Sequence, residues 1–397
     1  MRYIDQTDLK DRKALVRVDF NVPIENGVIT DDNRIRQSLP TLRYVLDQGG
    51  ALILCAHLGK PKGVDPKLSL APVAAHLAKL LGREVRLAPD CVGPEVEKMA
   101  RELAPGQVLM LENLRFHAEE TGKTPEARGD FGKRLAGLAD VYVGEGFGVV
   151  HRPNASVVDA PRAAALCCAG FLMKKEWQFL GERLAAPERP FVAISGGAKV
   201  STKLGILKNL LGKVDDLIIG GAMANTFFLA QGHGIGASLA ELDLVEEAKA
   251  VLAEAAGKGT RLHLPLDVVL GASPKDAAAT GTAEVAAIPE GAMALDIGPR
   301  SVEAFSKVIA SARTVVWNGP MGLFENPAFA AGSLGICRAM AANAGAVTIV
   351  GGGDTDAMVH AAGAAEKFSF ISTGGGSFME FLEGKELPGL SALKECS

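Results

Sequence analysis

Short runs of aliphatic and β-branched residues recur along the chain, separated by longer stretches in which apolar positions repeat every three to four residues. In the first half the runs cover 14–20, 51–57, 108–111 and 141–143, with helical patterns over 34–47, 69–81, 94–102 and 126–138. In the second half they cover 191–195, 216–220, 263–269, 292–297, 314–318, 347–350 and 368–372. Helical patterns there include 199–211, 222–231, 241–256, 301–312, 355–362 and 378–384. Strands that read as unbroken apolar runs, alternating with helices, predict parallel sheets covered on both faces. The expected fold is α/β: two doubly wound, mainly parallel-sheet domains joined by a helix and hinge. The join falls between Gly170 and Pro190, where a helical stretch ends at Pro187 and Pro190. The expected domains are 1–170 and 190–385, with 171–189 as connector.

Open α/β sheets bind ligands beyond the carboxyl ends of their strands, so the residues there come first. In the second half, Ser195-Gly196-Gly197-Ala198-Lys199-Val200-Ser201-Thr202-Lys203 follows one strand and Gly351-Gly352-Gly353-Asp354-Thr355 another. Each reads as strand, glycine turn and helix start, an arrangement that aims backbone N–H groups and a helix dipole at an anion. Lys199 and Lys203 are four residues apart in the first turns of the expected helix and share a face. Cations there oppose the dipole unless an anionic ligand reverses the balance; the plain alternative is a solvated lysine stripe that includes Lys208. Asp354 reads as a Mg²⁺ ligand or as an N-cap worth about 1 kcal/mol. Thr373-Gly374-Gly375-Gly376-Ser377 and the Trp317–Glu325 turn lie at further strand ends, and in the latter Asn318 or Glu325 is a candidate for a ribose or a metal shell. The Walker-type phosphate loop is absent.

The first half offers anion binders. Asp19-Phe20-Asn21, His57-Leu58-Gly59-Lys60-Pro61, Arg115 and Arg152 follow successive strands, and Arg34 and Arg36 open the first helix. Arginine suits bidentate capture of phosphate and carboxylate. Convergence of these residues on a parallel sheet implies a small, multiply charged anion such as a phosphorylated acid. A nucleotide-phosphate cradle in one domain and a basic cup in the other suit phosphoryl transfer, which needs positioning and positive charge and little covalent help. Lys199, Arg36 and the Gly374–Gly376 amides are the candidate charge stabilisers.

Composition narrows the field. The 397 residues are 48% hydrophobic and 22% charged, with net charge −4, which disfavours a nucleic-acid binder. No uninterrupted apolar run of about 18 residues suggests a membrane span. The N-terminus lacks a signal-type apolar core, so the expected location is cytoplasmic. The six cysteines and seven histidines show no zinc spacing, and the cysteines are expected to be reduced and buried.

The joint order and spacing of several segments resemble phosphoglycerate kinase over essentially the whole chain. They are Arg17-Val18-Asp19-Phe20-Asn21-Val22-Pro23, Asp32-Asn33-Arg34-Ile35-Arg36, His57-Leu58-Gly59-Lys60-Pro61, Leu111-Glu112-Asn113-Leu114-Arg115-Phe116, Ser195-Gly196-Gly197-Ala198-Lys199-Val200, Trp317-Asn318-Gly319-Pro320 and Gly351-Gly352-Gly353-Asp354. The resemblance implies reversible phosphoryl transfer from 1,3-bisphosphoglycerate to MgADP by a monomer that bends at a hinge. Its partners would be small molecules, with neither nucleic acid nor membrane. It implies a 3-phosphoglycerate site of Asp19, Asn21, Arg36, His57, Leu58, Gly59, Lys60, Arg115 and Arg152. It implies a nucleotide site of Gly196, Gly197, Lys203, Gly220, Gly221, Asn318, Glu325, Gly351, Gly352, Gly353, Asp354 and Thr355, with Asp354 carrying Mg²⁺. Arg36, Lys199, Gly375 and Gly376 would stabilise the transferring group. A C-terminal segment, 386–397, would return to the first domain.

Two places depart from the family pattern: Gly144-Glu145-Gly146, whose glycines are expected to loosen the turn, and Ser377-Phe378, where Phe378 replaces a hydroxyl. Two rival readings fit the residues less well. A non-catalytic two-domain protein that closes on a phosphorylated anion leaves the glycine turns unused. A dinucleotide oxidoreductase requires a Gly-x-Gly-x-x-Gly fingerprint after the first strand of either half, and it is lacking.

Overall fold

A computed structural model describes residues 1–396, which fall into two compact units. The first comprises 1–181 with the segment from Glu386, and the second comprises Glu182–Lys385.

The strands of the first unit are β1 (Lys13–Arg17), β2 (Ile24–Glu25), β3 (Val28–Ile29), β4 (Ala51–Cys55), β5 (Val85–Leu87), β6 (Val108–Met110), β7 (Val141–Gly144) and β8 (Cys167–Ala169). Six of them form one parallel sheet in the order β5-β6-β4-β1-β7-β8. All five residues of β4 are buried, as expected of a strand covered on both faces. The helices of this unit are α1 (Asn33–Asp47), α2 (Ala71–Leu81), α3 (Pro94–Arg101), α4 (Pro125–Ala136), α5 (Ala160–Ala163) and α6 (Phe171–Trp177). α1 and α2 close one face over a core that includes Leu42, Val45, Leu52, Leu54, Val73 and Leu77.

The second unit carries β9 (Phe191–Ser195), β10 (Asp216–Ile219), β11 (Arg261–His263), β12 (Asp267–Gly271), β13 (Gly281–Glu284), β14 (Met293–Ile297), β15 (Thr314–Asn318), β16 (Val347–Gly351) and β17 (Phe370–Ile371). Its helices are α7 (Leu204–Leu210), α8 (Met223–Ala230), α9 (Val245–Gly257), α10 (Pro299–Ser311), α11 (Ala331–Ala342), α12 (Gly353–Ala361) and α13 (Gly375–Leu382). The parallel sheet runs β11-β10-β9-β15-β16-β17, so the strand order reverses between β9 and β15. That reversal opens a crevice at the carboxyl ends, where α/β proteins place ligands. Trp317 on β15 is fully buried in the core and donates its indole N–H to Gly319 O at 2.8 Å.

Four expectations need correction. The run over 263–269 is two strands: Pro265 cannot donate to a ladder, so β11 stops at His263 and β12 begins anew. β12 and β14, the latter read from 292–297, belong to a separate antiparallel sheet, β13-β12-β14. α7 begins at Leu204, so Lys199 and Lys203 precede the helix and share no helical face. The cysteines are not all free: Cys167 on β8 is paired with Cys396, with Cα atoms 5.9 Å apart. Cys396 ends α14 (Pro388–Cys396), which packs on the first unit, where Leu393 fills the space over Gly144.

The Gly144–Gly146 turn is pinned. The amides of Glu145 and Gly146 both donate to Arg17 O, at 3.0 and 2.8 Å. Glu145 is fully buried, held by Thr41 and by the amide of Leu172 at the start of α6. Phe378 is also fully buried, packed flat on Gly351.

Candidate active site

In the first unit β6, β4, β1 and β7 are neighbours and parallel, so the residues after each emerge side by side. Asp19 follows β1, His57 follows β4, Arg115 follows β6 and Arg152 follows β7. His57 is 2% exposed, and its pKa is pushed well below 6.5, first by burial and then by the charges of Arg17, Arg115, Arg152 and Arg34. The imidazole is therefore neutral at neutral pH, and its Nδ1 lies 3.3 Å from Arg17 Nη2. His151, beside Arg152, is held down to about 4 by burial and by that arginine. Positive charge thus gathers where the sheet ends, as an anion site requires.

Neighbouring groups fix most of these side chains. Arg34 bonds Asp19 at 2.8 Å, and Arg115 donates to Gly59 O at 2.5 Å. Asn21 accepts from the Gly59 amide at 2.8 Å. The Leu58 amide and carbonyl are both taken by the Asn113 side chain. Leu58 and Asn113 therefore frame the site from within the protein. Asp19 Oδ1 and Arg115 Nε remain buried without a protein partner, two polar atoms poised for a ligand. Lys60 is exposed on the same turn. Arg36 stands apart on α1, exposed and bonded to Asp32 at 2.8 Å, while His76 holds the other oxygen of Asp32 at 2.8 Å. The Arg36 hydrogen bond keeps the Asp32 carboxyl below the usual range.

Sequence reasoning missed Arg17 and Glu120 as parts of this site. Arg17 is 1% exposed and donates to Ser156 Oγ at 2.9 Å and to Val18 O. Glu120 accepts from Ser156 and Asn154 and lies 3.8 Å from Arg17. A buried charged pair beneath His57 has no signature in a linear pattern.

In the second unit the glycine turns sit at the carboxyl ends of five adjacent parallel strands, β10-β9-β15-β16-β17. At about 4.8 Å per strand they span roughly 19 Å. Many of their amides serve the protein. Gly196 donates to Asn318 O, Gly197 to Pro320 O, Gly220 to Ser195 O and Gly221 to Met321 O. Gly221 has φ +69°, and a Cβ there would lie 2.5 Å from Gly197 O, so only glycine lets these backbones meet.

Gly351 ends β16, and Gly352 has φ +103° with the Asn318 amide group against it. Thr355 accepts from the Gly319 amide at 2.7 Å, tying α12 to the β15 turn. Gly353 and Asp354 form the exposed first turn of α12, and Gly375 at the start of α13 lies beside the Gly353 nitrogen. Two helix N-termini, each with first-turn amides that lack intrahelical acceptors, thus meet at one place. Gly375 and Gly376 belong to α13 itself, rather than to a loop before it.

The two lysines are separated by burial. Lys203 is 8% exposed and donates to Asn318 Oδ1. Burial lowers its pKa, and Asp354 and Glu383 act in the opposite direction. Lys199 is exposed on a turn that Glu241 fixes through the Ser201 amide and hydroxyl. Ser195 Oγ is buried without a protein partner at the end of β9. Glu325 is exposed beyond β15, with no hydrogen bond to the glycine turns among the described residues.

One α/β unit with an arginine cup and another with paired helix N-termini and a buried lysine make up the parts of a phosphotransferase. A sequence model of the phosphoglycerate kinase family matches residues 4–385. The phosphoglycerate kinase of Maridesulfovibrio salexigens is 62% identical over 399 residues, covering 100% of both chains. A relative from Triticum aestivum named phosphoglycerate kinase, cytosolic, is 49% identical over 99% of this chain and 98% of its own. The solved structure of phosphoglycerate kinase from Coxiella burnetii superposes with TM-score 0.91 at 38% identity, covering 99% of this chain and 98% of that one. The chain belongs to the phosphoglycerate kinase family. It transfers a phosphoryl group reversibly from 1,3-bisphosphoglycerate to MgADP, giving 3-phosphoglycerate and MgATP, a step of glycolysis.

Proposed function

We propose that the first unit binds 3-phosphoglycerate and the second binds the nucleotide. The observation that carries this reading is the set of four arginine charges around buried His57, with Arg17, Arg115 and Arg152 at or beyond the ends of parallel strands and Arg34 on α1. Arg115 and Arg152 bind the anion directly, with Asp19, Asn21, Lys60 and neutral His57 completing its polar shell. Arg17, Glu120, Leu58 and Gly59 hold that shell in place.

In the second unit the phosphates lie at the N-termini of α12 and α13, against Gly353, Asp354, Gly375 and Gly376. Lys203, Asn318 and Thr355 support them. The backbone joints at Gly196, Gly197, Gly220 and Gly221 shape the floor. Mg²⁺ suits Asp354, a hard oxygen donor on an exposed turn with no protein cation at ion-pair distance among the described residues. When bound, the ion neutralises phosphate charge. Exposed Arg36 and Lys199 stabilise the migrating group as it passes directly from one substrate to the other.

Among the described residues no helix is long and apolar enough to cross a membrane. A cytoplasmic location follows the wheat relative's printed name. The Cys167–Cys396 pair stands against it, since cytosolic disulfides are rare.

Calorimetry tests the division of labour. Arg152→Ala should weaken 3-phosphoglycerate binding and leave MgADP binding unchanged; equal loss of both would refute it.

A further inference from the structure

The first unit holds a second cluster of chemistry-bearing side chains that phosphoryl transfer does not use. Asp90 and Cys91 lie in the loop after β5, and His117 lies just beyond the turn after β6. Nothing in the linear pattern signals it, because the ligand types are spread over two loops with no familiar spacing. The edge strand β5 and its neighbour β6 bring those loops together. One ligand atom from each residue lies within 4.8 Å of the other two.

The geometry points to a site for a thiophilic divalent cation, Zn²⁺ above all, on Asp90, Cys91 and His117. The donor set is one carboxylate oxygen, one imidazole nitrogen and one thiolate sulfur, the mixture that tetrahedral zinc takes. Zinc–ligand bonds of about 2.0–2.3 Å put tetrahedral donors roughly 3.4–3.7 Å apart, so the widest separation must contract by about 1 Å while the His117–Asp90 contact opens by about the same amount. Water from the exposed Asp90 side fills the fourth position.

The plain reading of the same residues is a hydrogen-bonded pair and a buried thiol. His117 Nε2 lies 2.5 Å from Asp90 Oδ1, and Cys91 Sγ donates to Glu112 O at 2.9 Å. One observation favours the metal. The ligand loops are held from outside the cluster. The His117 ring stacks on Phe131 with centroids 4.8 Å apart. Both Glu112 carboxylate oxygens are spent on Ser69 and on the Leu70 and Asn113 amides. Binding releases the thiol proton to solvent and moves the hydrogen-bonding proton of His117 from Nε2 to Nδ1, so that the His117–Asp90 hydrogen bond is exchanged for two metal bonds.

The test uses the full chain, stripped with a chelator and titrated with Co²⁺ and Zn²⁺. One equivalent of Co²⁺ should give a thiolate-to-metal charge-transfer band. Cys91→Ser should abolish that band, and His117→Gln should weaken Zn²⁺ binding by about 100-fold or more, since even indirect supports cost 10–100-fold. Cys337→Ser, which removes another buried thiol, should change neither. Circular dichroism in chelator checks that the variants fold, and His117→Gln carries the test if Cys91→Ser does not. Absence of the band in the wild type, or Zn²⁺ affinity unchanged in His117→Gln, overturns the proposal.

Discussion

The two units present the same kind of surface, the carboxyl ends of a parallel sheet, and furnish it in opposite ways. The first uses side chains: Arg34, Arg115, Arg152 and His57 sit in one field, braced by a buried layer of Arg17, Glu120 and Asn113. The second uses backbone: glycines at five strand ends, two helix N-termini and one buried lysine. A carboxylate-bearing phosphate is small and needs charge from several sides. A nucleotide is long and needs a surface close enough for main-chain amides to reach it. The two sites should therefore fail differently when altered.

The largest effect should come from the cations that neither scheme buries. Arg36 is exposed in the first unit and Lys199 in the second. If they act only on charge developing in transfer, Arg36→Ala and Lys199→Ala should each lower kcat by roughly 10²–10⁴-fold, the range for one preorganised stabiliser. Substrate affinity should change far less. Steady-state kinetics decide this, and a loss under about tenfold removes that residue from the role. Asp32→Asn sharpens the point: it loosens Arg36 without removing its charge, so the loss should be smaller.

Next in size is a pH effect confined to the first unit. Burial raises the Glu145 carboxyl from an ordinary 4.5 to about 8. Between those values the folded protein holds a proton that the unfolded chain has lost, so stability falls as pH rises through that window. The total is a few kcal/mol at most. Glu145→Gln keeps an acceptor for the Leu172 amide and should flatten the slope of urea midpoint against pH from 5 to 8. An unchanged slope would show that Glu145 is ionised in the fold.

The Cys167–Cys396 pair also belongs to the first unit and holds its C-terminal helix. Cys396→Ser should lower the stability of oxidised protein by about 2–4 kcal/mol. Thiol titration of denatured protein should find four free cysteines, matching Cys55, Cys91, Cys168 and Cys337. Six in protein drawn anaerobically from cells would show the pair reduced there and support the cytoplasmic reading.

What could be read in advance divides along the same line. Apolar runs announced β1, β4, β9, β15 and β16, because strands buried on both faces leave no polar interruption. β5 and β8 left no such signal: Arg86 interrupts the first, and the second is Cys167-Cys168-Ala169, so neither reads as an aliphatic run. The β2–β3 hairpin was signalled by Asn26-Gly27, both at positive φ, and was overlooked. The arginine cup was legible because arginines after strand ends are conspicuous as residue types. Its buried frame was not, since Glu120 meets Arg17 and Ser156 only through the fold. The glycine turns were legible as turns. Which amides they leave for a ligand was not, since the answer depends on which strand lies next door: Gly196 and Gly197 are consumed by the β15 turn, whereas Gly353 and Gly375 open α12 and α13.

That distinction sets the smallest prediction and the one that separates floor from cradle. At Gly221 alanine must adopt φ +69° and drive its methyl to 2.5 Å from Gly197 O. The strain should cost about 1–3 kcal/mol and open the joint between the β9, β10 and β15 turns. Gly353 is the opposite case: it is exposed, its φ is not positive, and no protein atom lies within 4 Å of a Cβ built there. Gly353→Ala should leave stability unchanged or raise it by up to about 1 kcal/mol, as alanine is the better helix residue. If phosphate occupies that open space, the same methyl should weaken MgADP binding while 3-phosphoglycerate binding stays intact. Thermal unfolding and calorimetry on the two variants thus give crossed outcomes. Gly221→Ala should lose stability, and Gly353→Ala should lose nucleotide affinity alone. Wild-type MgADP affinity in Gly353→Ala would move the phosphates away from the start of α12 and leave Lys203 and Asn318 to account for them.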